Sequence, residues 1–178
     1  MKYFIAFLGF VFLLFIGLIG YGRSLPQTFV FEKSIAVSSD VVDIYKEMVA
    51  ADRIRMWAPY VAGLGRDNTA ITGSERGSGQ LLDWRNAQAP FDSGLQEVLA
   101  ITPPYFVQSR FSSASYDGSI IYALNESLPT DDVTVLIRLD LDAGGMPFFN
   151  RVKLRLKQEL INEELEQALA RLKTITEK

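Results

Sequence analysis

The chain contains no cysteine and no histidine among its 178 residues. Their absence excludes zinc sites built on thiolate or imidazole, Ser-His-Asp and Cys-His triads, and thiol redox chemistry. Without thiols, nothing in the composition favours an oxidising or a reducing compartment. A Walker-type glycine loop and a strand-linked GxGxxG are missing too. Gly77-Ser78-Gly79 is a glycine pair of the kind that turns a hairpin. Asp131-Asp132 follow Pro129 in a turn, and two adjacent carboxylates do not make a calcium loop. No cofactor motif, metal site or catalytic set emerges, so any chemistry would fall to carboxylates, Tyr, Lys, Arg or Ser. A formal net charge of -3 gives no electrostatic reason to expect nucleic acid. Internal repeats, low-complexity tracts and long linkers are absent.

What is present begins with residues 3–22, YFIAFLGFVFLLFIGLIGYG, an uncharged stretch directly after Met1-Lys2. As a helix it would span roughly 30 Å, the thickness of a bilayer's hydrocarbon core. A cleaved signal peptide would have a shorter apolar core and small residues at its cleavage site, which Gly22-Arg23-Ser24-Leu25-Pro26 does not offer. Tyr3 and Tyr21 stand at the two ends, where amphipathic rings favour the headgroup region. The expectation is a retained single-pass anchor over residues 1–23, a short linker over 24–28 and one globular domain over 29–178. The glycines at 9, 17, 20 and 22 make no GxxxG spacing, so helix pairing in the membrane is not indicated. Positive charge is nearly balanced about the segment, with Lys2 before it and Arg23 and Lys33 after it. A short N-terminal tail staying in the cytoplasm would place the domain on the extracytoplasmic side.

Five of the twelve phenylalanines belong to the apolar segment, and the remainder has an ordinary soluble composition. Residues 29–37 alternate as a strand does. Ser38-Ser39-Asp40 supplies N-cap chemistry for a helix with Val41, Ile44, Tyr45 and Met48 on one face. A second short helix or turn runs from Asp52 to Trp57 and stops near Pro59. Residues 69–72, 80–86, 95–101, 105–113, 119–125 and 133–141 then read as successive strands separated by turn residues at short intervals. Neighbours should therefore pair antiparallel. The last segment predicts one long helix over residues 147–176. Its apolar line is Phe149, Val152, Leu156, Leu160 or Ile161, Leu165, Leu169, Leu172 and Ile175. The fold class is α+β, with the long helix covering the apolar face of an antiparallel sheet.

Several segments within this order resemble the START-like (SRPBCC) superfamily, and in particular its polyketide cyclase/dehydrase and lipid transport branch. They are Trp57-Ala58-Pro59, the run Gly73-Ser74-Glu75-Arg76-Gly77-Ser78-Gly79 leading to Trp84, and Gly94-Leu95-Gln96-Glu97-Val98-Leu99-Ala100-Ile101-Thr102-Pro103. The closing Glu164-Leu165-Glu166-Gln167-Ala168-Leu169-Ala170-Arg171-Leu172-Lys173 resembles the end of that family's C-terminal helix. The resemblance implies a helix-grip fold, a curved seven-stranded sheet wrapped around the long helix with a hydrophobic cavity between them. It further implies an apolar ligand such as a lipid, sterol or polyketide. Some relatives are cyclases, dehydratases or hydrolases, and no catalytic residue set is common to all of them.

The cavity candidates are Trp57, Trp84, Glu97, Leu99, Phe106, Arg110 and Tyr122. The two tryptophans could line a cavity or simply pack the core, and packing is the simpler reading. If residues 102–105 form a four-residue loop, Ile101 pairs with Phe106, Leu99 with Gln108, and Glu97 with Arg110. Leu95, Leu99, Ile101 and Phe106 suggest that this shared face is the inner one. Glu97 and Arg110 would then orient a polar ligand head; the competing reading is an exposed ion pair worth little. Tyr122 could turn its hydroxyl inward or to the surface, and Asp83 lies opposite Trp84 in strand parity. Arg151, Lys153, Arg155 and Lys157 crowd the start of a helix, the unfavourable end of the macrodipole for cations. They suit anionic lipid headgroups, or else form a solvated face with Arg155 paired to Glu159. The function expected from all this is a membrane-anchored domain binding an apolar or amphipathic small molecule without transforming it. The alternatives are a cyclase- or dehydratase-type enzyme using Glu97, Tyr122 or Arg110, and an interaction module whose cavity is filled by its own side chains.

Overall fold

The computed structural model describes residues 2–85, 91, 93–114, 116–127, 132–143 and 148–177. Helix α1, Lys2–Ser24, carries the uncharged segment with its large apolar side chains exposed. By length and composition it is able to cross a membrane. Strand β1, Thr28–Val37, follows almost at once, then helices α2, Val41–Val49, and α3, Ala51–Trp57. Asp40 caps α2, its carboxylate accepting from the Val42 N–H at 2.7 Å and satisfying one otherwise orphaned donor. The face expected of α2 buries Val41, Ile44 and Met48, with Tyr45 partly buried beside them.

The remaining strands are β2, Thr69–Gly73, β3, Gln80–Arg85, β4, Ser93–Thr102, β5, Phe106–Ser113, β6, Asp117–Glu126, and β7, Val133–Asp142. They form one seven-stranded antiparallel sheet in the order β1-β7-β6-β5-β4-β3-β2. Each strand from β3 onward pairs with the one before it in sequence, and β1 closes beside β7 from Phe29↔Leu141 to Val37↔Val133. Val133, Val135, Ile137, Leu139 and Leu141 of β7 are all buried, as strict alternation requires. Gly77-Ser78-Gly79 belongs to the turn joining β2 to β3, where Gly77 and Gly79 hold φ of 78° and 83°, angles that favour glycine.

The terminal segment departs from the expected single helix. Its described part divides into α4, Phe148–Leu156, and α5, Gln158–Thr176, with a turn at Lys157; residue 147, the expected start, lies outside the described residues. Two partners explain the break. α5 packs on β1, β7, α2 and α3, whereas α4 leans against α1, and one straight rod would not reach both. The apolar line separates accordingly. Ile161, Leu165, Ala168, Leu169 and Leu172 are buried by α5, but α4 buries only Leu154, and Leu156 is 79% exposed. Outside the core, α5 is tied to the sheet by the Lys33–Glu166 ion pair and by Lys173, which donates to the Ala36 carbonyl at 2.8 Å.

The connector between α1 and β1 is stitched down at both ends. The Gln27 carbonyl accepts from the Ala143 N–H at 2.7 Å, and the Leu25 carbonyl accepts from the Arg151 guanidinium at 3.5 Å.

Candidate functional site

The hairpin β4–β5 decides which side chains face the helix. Glu97 pairs with Arg110 as expected, but the route there differs. Thr102 opposes Phe106 and Ile101 opposes Val107, so the connection is one residue shorter than expected; an extra residue at Leu99 then restores the pairing. The faces are the reverse of the expectation. Gln96, Val98, Val107, Ser109 and Phe111 are buried against the helices, whereas Leu95, Leu99 and Ile101 are exposed. Glu97 and Arg110 meet on the convex side at 3.5 Å, with Arg110 64% exposed. Leu99 stands out at the irregularity, where the Ser78 hydroxyl of the β2–β3 turn donates to its backbone carbonyl at 3.0 Å. Phe106 shares the convex parity and is half-buried. The reason is packing: Trp84 and Tyr60 occupy the concave side, and the strand turns its small and polar residues toward them. Gly94 shows this directly, since a Cβ there would lie 2.3 Å from the Trp84 ring.

Trp57, Trp84 and Tyr122 do lie inside, between the sheet and the helices. Trp57 ends α3 with its indole N–H donating to the Glu47 carbonyl at 3.0 Å and its own carbonyl accepting from Arg171 at 3.3 Å. Its ring meets Tyr122 edge-on at 5.3 Å. Trp84 stacks on Tyr60 at 4.7 Å and tilts against Phe111 at 5.6 Å. Phe91 packs edge-on against Tyr60, Phe111 and Tyr116. Tyr60 is held at φ 60°, a conformation that a bulky residue adopts only when its surroundings impose it. Pro59 and the end of α3 place it there, and the rings of Trp84, Phe91 and Phe111 hold it.

A short polar thread runs through this aromatic interior. The Tyr60 hydroxyl donates to the Gln96 side-chain carbonyl at 3.4 Å, and the Gln96 amide donates to the Ser109 hydroxyl at 3.0 Å. The Tyr122 hydroxyl lies beside Tyr60 and Gln96 without meeting either at hydrogen-bonding geometry, and among the described residues it has no partner. The Trp84 indole N–H is likewise buried without an acceptor. Burial raises the pKa of Tyr60 well above the usual tyrosine value, with the neighbouring Tyr122 adding to it. Burial also raises that of Tyr122, opposed by its proximity to Tyr60 and Gln96. Both phenols are thus neutral hydrogen-bond donors at ordinary pH, poor as bases. Glu97 and Arg110, on the other side of the sheet, cannot join them in one site. Asp83 points away from Trp84, half-buried at the sheet surface. Asp131 lies outside the described residues, while Asp132 accepts from the Ser38 hydroxyl at 2.6 Å. Among the described residues no cluster of acidic side chains is arranged to hold a metal.

Tyr60, Gln96, Ser109 and Phe111 were not among the candidates read from sequence. Strand parity carried a usable signal for three of them, because Gln96, Val98, Ser109 and Phe111 share the spacing of two that Gly94 fixes opposite Trp84. Where α1, β1 and the α4–α5 turn meet, a surface groove of about 420 Å³ is lined by Tyr21, Leu25, Phe29, Phe31, Arg155 and Gln158. The basic run lies beside it. Lys153 and Arg155 are exposed, Arg151 and Lys157 partly buried, and Arg155 bonds Gln158 instead of the expected Glu159.

A curved antiparallel sheet gripping a long C-terminal helix, with two short helices closing one end, defines the helix-grip fold of the START-like (SRPBCC) class. Solved structures agree with that assignment. The chain is similar to norcoclaurine synthase from Thalictrum flavum at a TM-score of 0.62 and 10% identity, covering 86% of this chain and 88% of that one. It is similar to the di-domain ARO/CYC protein BexL at 0.56 and 14% identity, over 85% of this chain and 51% of BexL. Protein CV1439 from Chromobacterium violaceum matches at 0.55 and 12% identity, over 86% and 99%. No family model matches the chain, and no curated protein matches it. At such identities the likeness concerns the fold.

Proposed function

We propose that this is a membrane-anchored helix-grip domain that binds an apolar or amphipathic small molecule between its sheet and α5. What supports this most is the pair of buried donors without acceptors among the described residues, the Tyr122 hydroxyl and the Trp84 indole, within an aromatic interior whose other polar side chains, Tyr60, Gln96 and Ser109, bond one another. A buried polar group without a partner costs about 1–3 kcal/mol, a penalty that a guest bearing a carbonyl, ester or hydroxyl oxygen would relieve. The solved structures named above lend general support, since a norcoclaurine synthase and an ARO/CYC protein share the fold. Anchoring by α1 supplies proximity to a reservoir of such molecules.

The interaction module with a self-filled interior remains the second reading, favoured by the continuous ring contacts from Trp84 through Tyr60 and Phe111 to Phe91. Native mass spectrometry of the full chain, released gently from detergent, separates the two. A copurifying apolar molecule lost in Tyr122→Phe supports the binding reading. Bare protein alone, from several hosts and after incubation with lipid extract, supports the filled interior.

A further inference from the structure

We propose that α4 and the first turn of α5 form a second membrane contact, lying in the surface of an anionic bilayer beside α1; this rests on the reading of α1 as an anchor. The starting point is the apolar line that the core rejects. Phe149, Leu156 and Leu160 follow helical spacing, with Lys153 completing the stripe, and they are 40%, 79% and 47% exposed. The opposite face of the same segment buries Leu154 and Ile161 in the domain. The segment therefore presents apolar side chains away from the domain as well as toward it, and the domain covers only the latter.

The neighbour of the uncovered side identifies what covers it. Phe148 packs against Gly22, where an added Cβ would lie 2.9 Å from the Phe148 Cβ and Cδ2 and 3.1 Å from its carbonyl oxygen. Gly22 is thus the notch that seats α4 on α1. Phe149 meets the Phe15 ring at 6.4 Å. Phe15 lies two helical turns before Gly22, roughly 10 Å along the axis, so a bilayer that surrounds α1 reaches the level of Phe149. From there the stripe runs toward the basic side chains Lys153 and Arg155, which are exposed at its flanks. Apolar side chains at the acyl boundary with lysine and arginine stems reaching up to headgroups are the pattern of an interfacial helix. The inferred occupant is the lipid surface itself, continuous with the one around α1, and it would place the Tyr21–Leu25–Phe29 groove at headgroup level.

The lack of cysteine makes the test direct, since single-cysteine variants of the full chain accept an environment-sensitive fluorophore at one site only. Labels at Phe149→Cys, Leu156→Cys and Leu160→Cys are compared with Phe12→Cys inside α1 and Asn125→Cys at the far end of β6. The chain is reconstituted in vesicles of phosphatidylcholine containing phosphatidylglycerol and quencher-bearing lipid. Quenching at 149, 156 and 160, together with 12 but not 125, is the expected result. Lys153→Gln and Arg155→Gln each shift the docked-to-undocked ratio at 156 by roughly fivefold in anionic vesicles. Gly22→Leu removes quenching at 149 while leaving 12 quenched. Labels at 156 and 160 as unquenched as 125, with 12 quenched, overturn the second contact and leave the anchor standing. Blue-shifted labels at 156 and 160 that lipid quenchers do not reach indicate a second copy of the chain and also overturn it. A water-exposed, unquenched label at 12 overturns both readings.

Discussion

The two faces of the β4–β5 hairpin differ in a way that composition does not announce. The concave face carries Gly94, Gln96, Ser109 and Phe111, two of them polar and one without a side chain, and is sealed. The convex face carries Leu95, Leu99, Glu97 and Arg110, richer in aliphatics, and is open. The lesson is that burial follows from what lies opposite. Trp84 and Tyr60 already fill the volume above the concave face, so the strand beneath them is built from small residues and hydrogen-bonding groups that fit under the rings.

The comparison can be broken most sharply at Gly94. Gly94→Ala drives a methyl into the Trp84 ring and the Ser112 carbonyl, and should cost about 3 kcal/mol, read as a lower denaturant midpoint of the detergent-solubilised chain. An alanine at convex Leu95 should cost much less, and equal losses at the two positions would show that the faces are not so unequal. The second test is alkaline pH. Tyr60 and Tyr122 have folded pKa values above the unfolded value of 10.0, so the folded state keeps protons that the unfolded state releases. Stability is unaffected below pH 10 and falls as pH rises beyond it, by up to about 1.4 kcal/mol per pH unit for each tyrosine. The Tyr60→Phe/Tyr122→Phe double variant should lose most of that slope in a pH series of denaturation curves.

A smaller effect sharpens the contrast between structural and binding roles. Tyr122→Phe deletes an unpaired buried hydroxyl, so the empty domain should gain about 1 kcal/mol while its hold on an oxygen-bearing guest weakens. Calorimetric scans with and without added lipid extract would show the two changes in opposite directions. The smallest effect belongs to the convex pair: Glu97→Gln should change stability by less than about 0.5 kcal/mol and leave guest binding unaltered. A large loss there would restore the polar head-group role that its position argues against.

Much of the architecture was legible. Strand limits agree within a few residues because alternation and turn residues are local signals, and β7 with its five alternate aliphatics is the clearest instance. Trp57 and Trp84 were readable as interior residues because aromatic bulk close to a turn must be housed somewhere. The hairpin faces were not, since Leu95, Leu99 and Ile101, all exposed, are as aliphatic as the buried Val98 and Val107. One unsignalled extra residue at Leu99 also shifts the parity between the two halves of β4. Tyr60 escaped notice because its inward aim depends on a backbone angle that no propensity predicts. In α4 the expected line of Phe149, Val152 and Leu156 does not enter the core, which takes Leu154 instead; a helical stripe says that something apolar covers it, without saying what.

The stitched connector has a mechanical consequence. With Leu25 and Gln27 bonded to Arg151 and Ala143, the chain between α1 and β1 has no slack to act as a swivel. A membrane-spanning helix answers a change of bilayer thickness by leaning. Were α1 to span a bilayer as proposed, any such lean would be passed to the sheet as to the head of a rigid lever, and lipid composition would set the attitude at which the domain meets the surface.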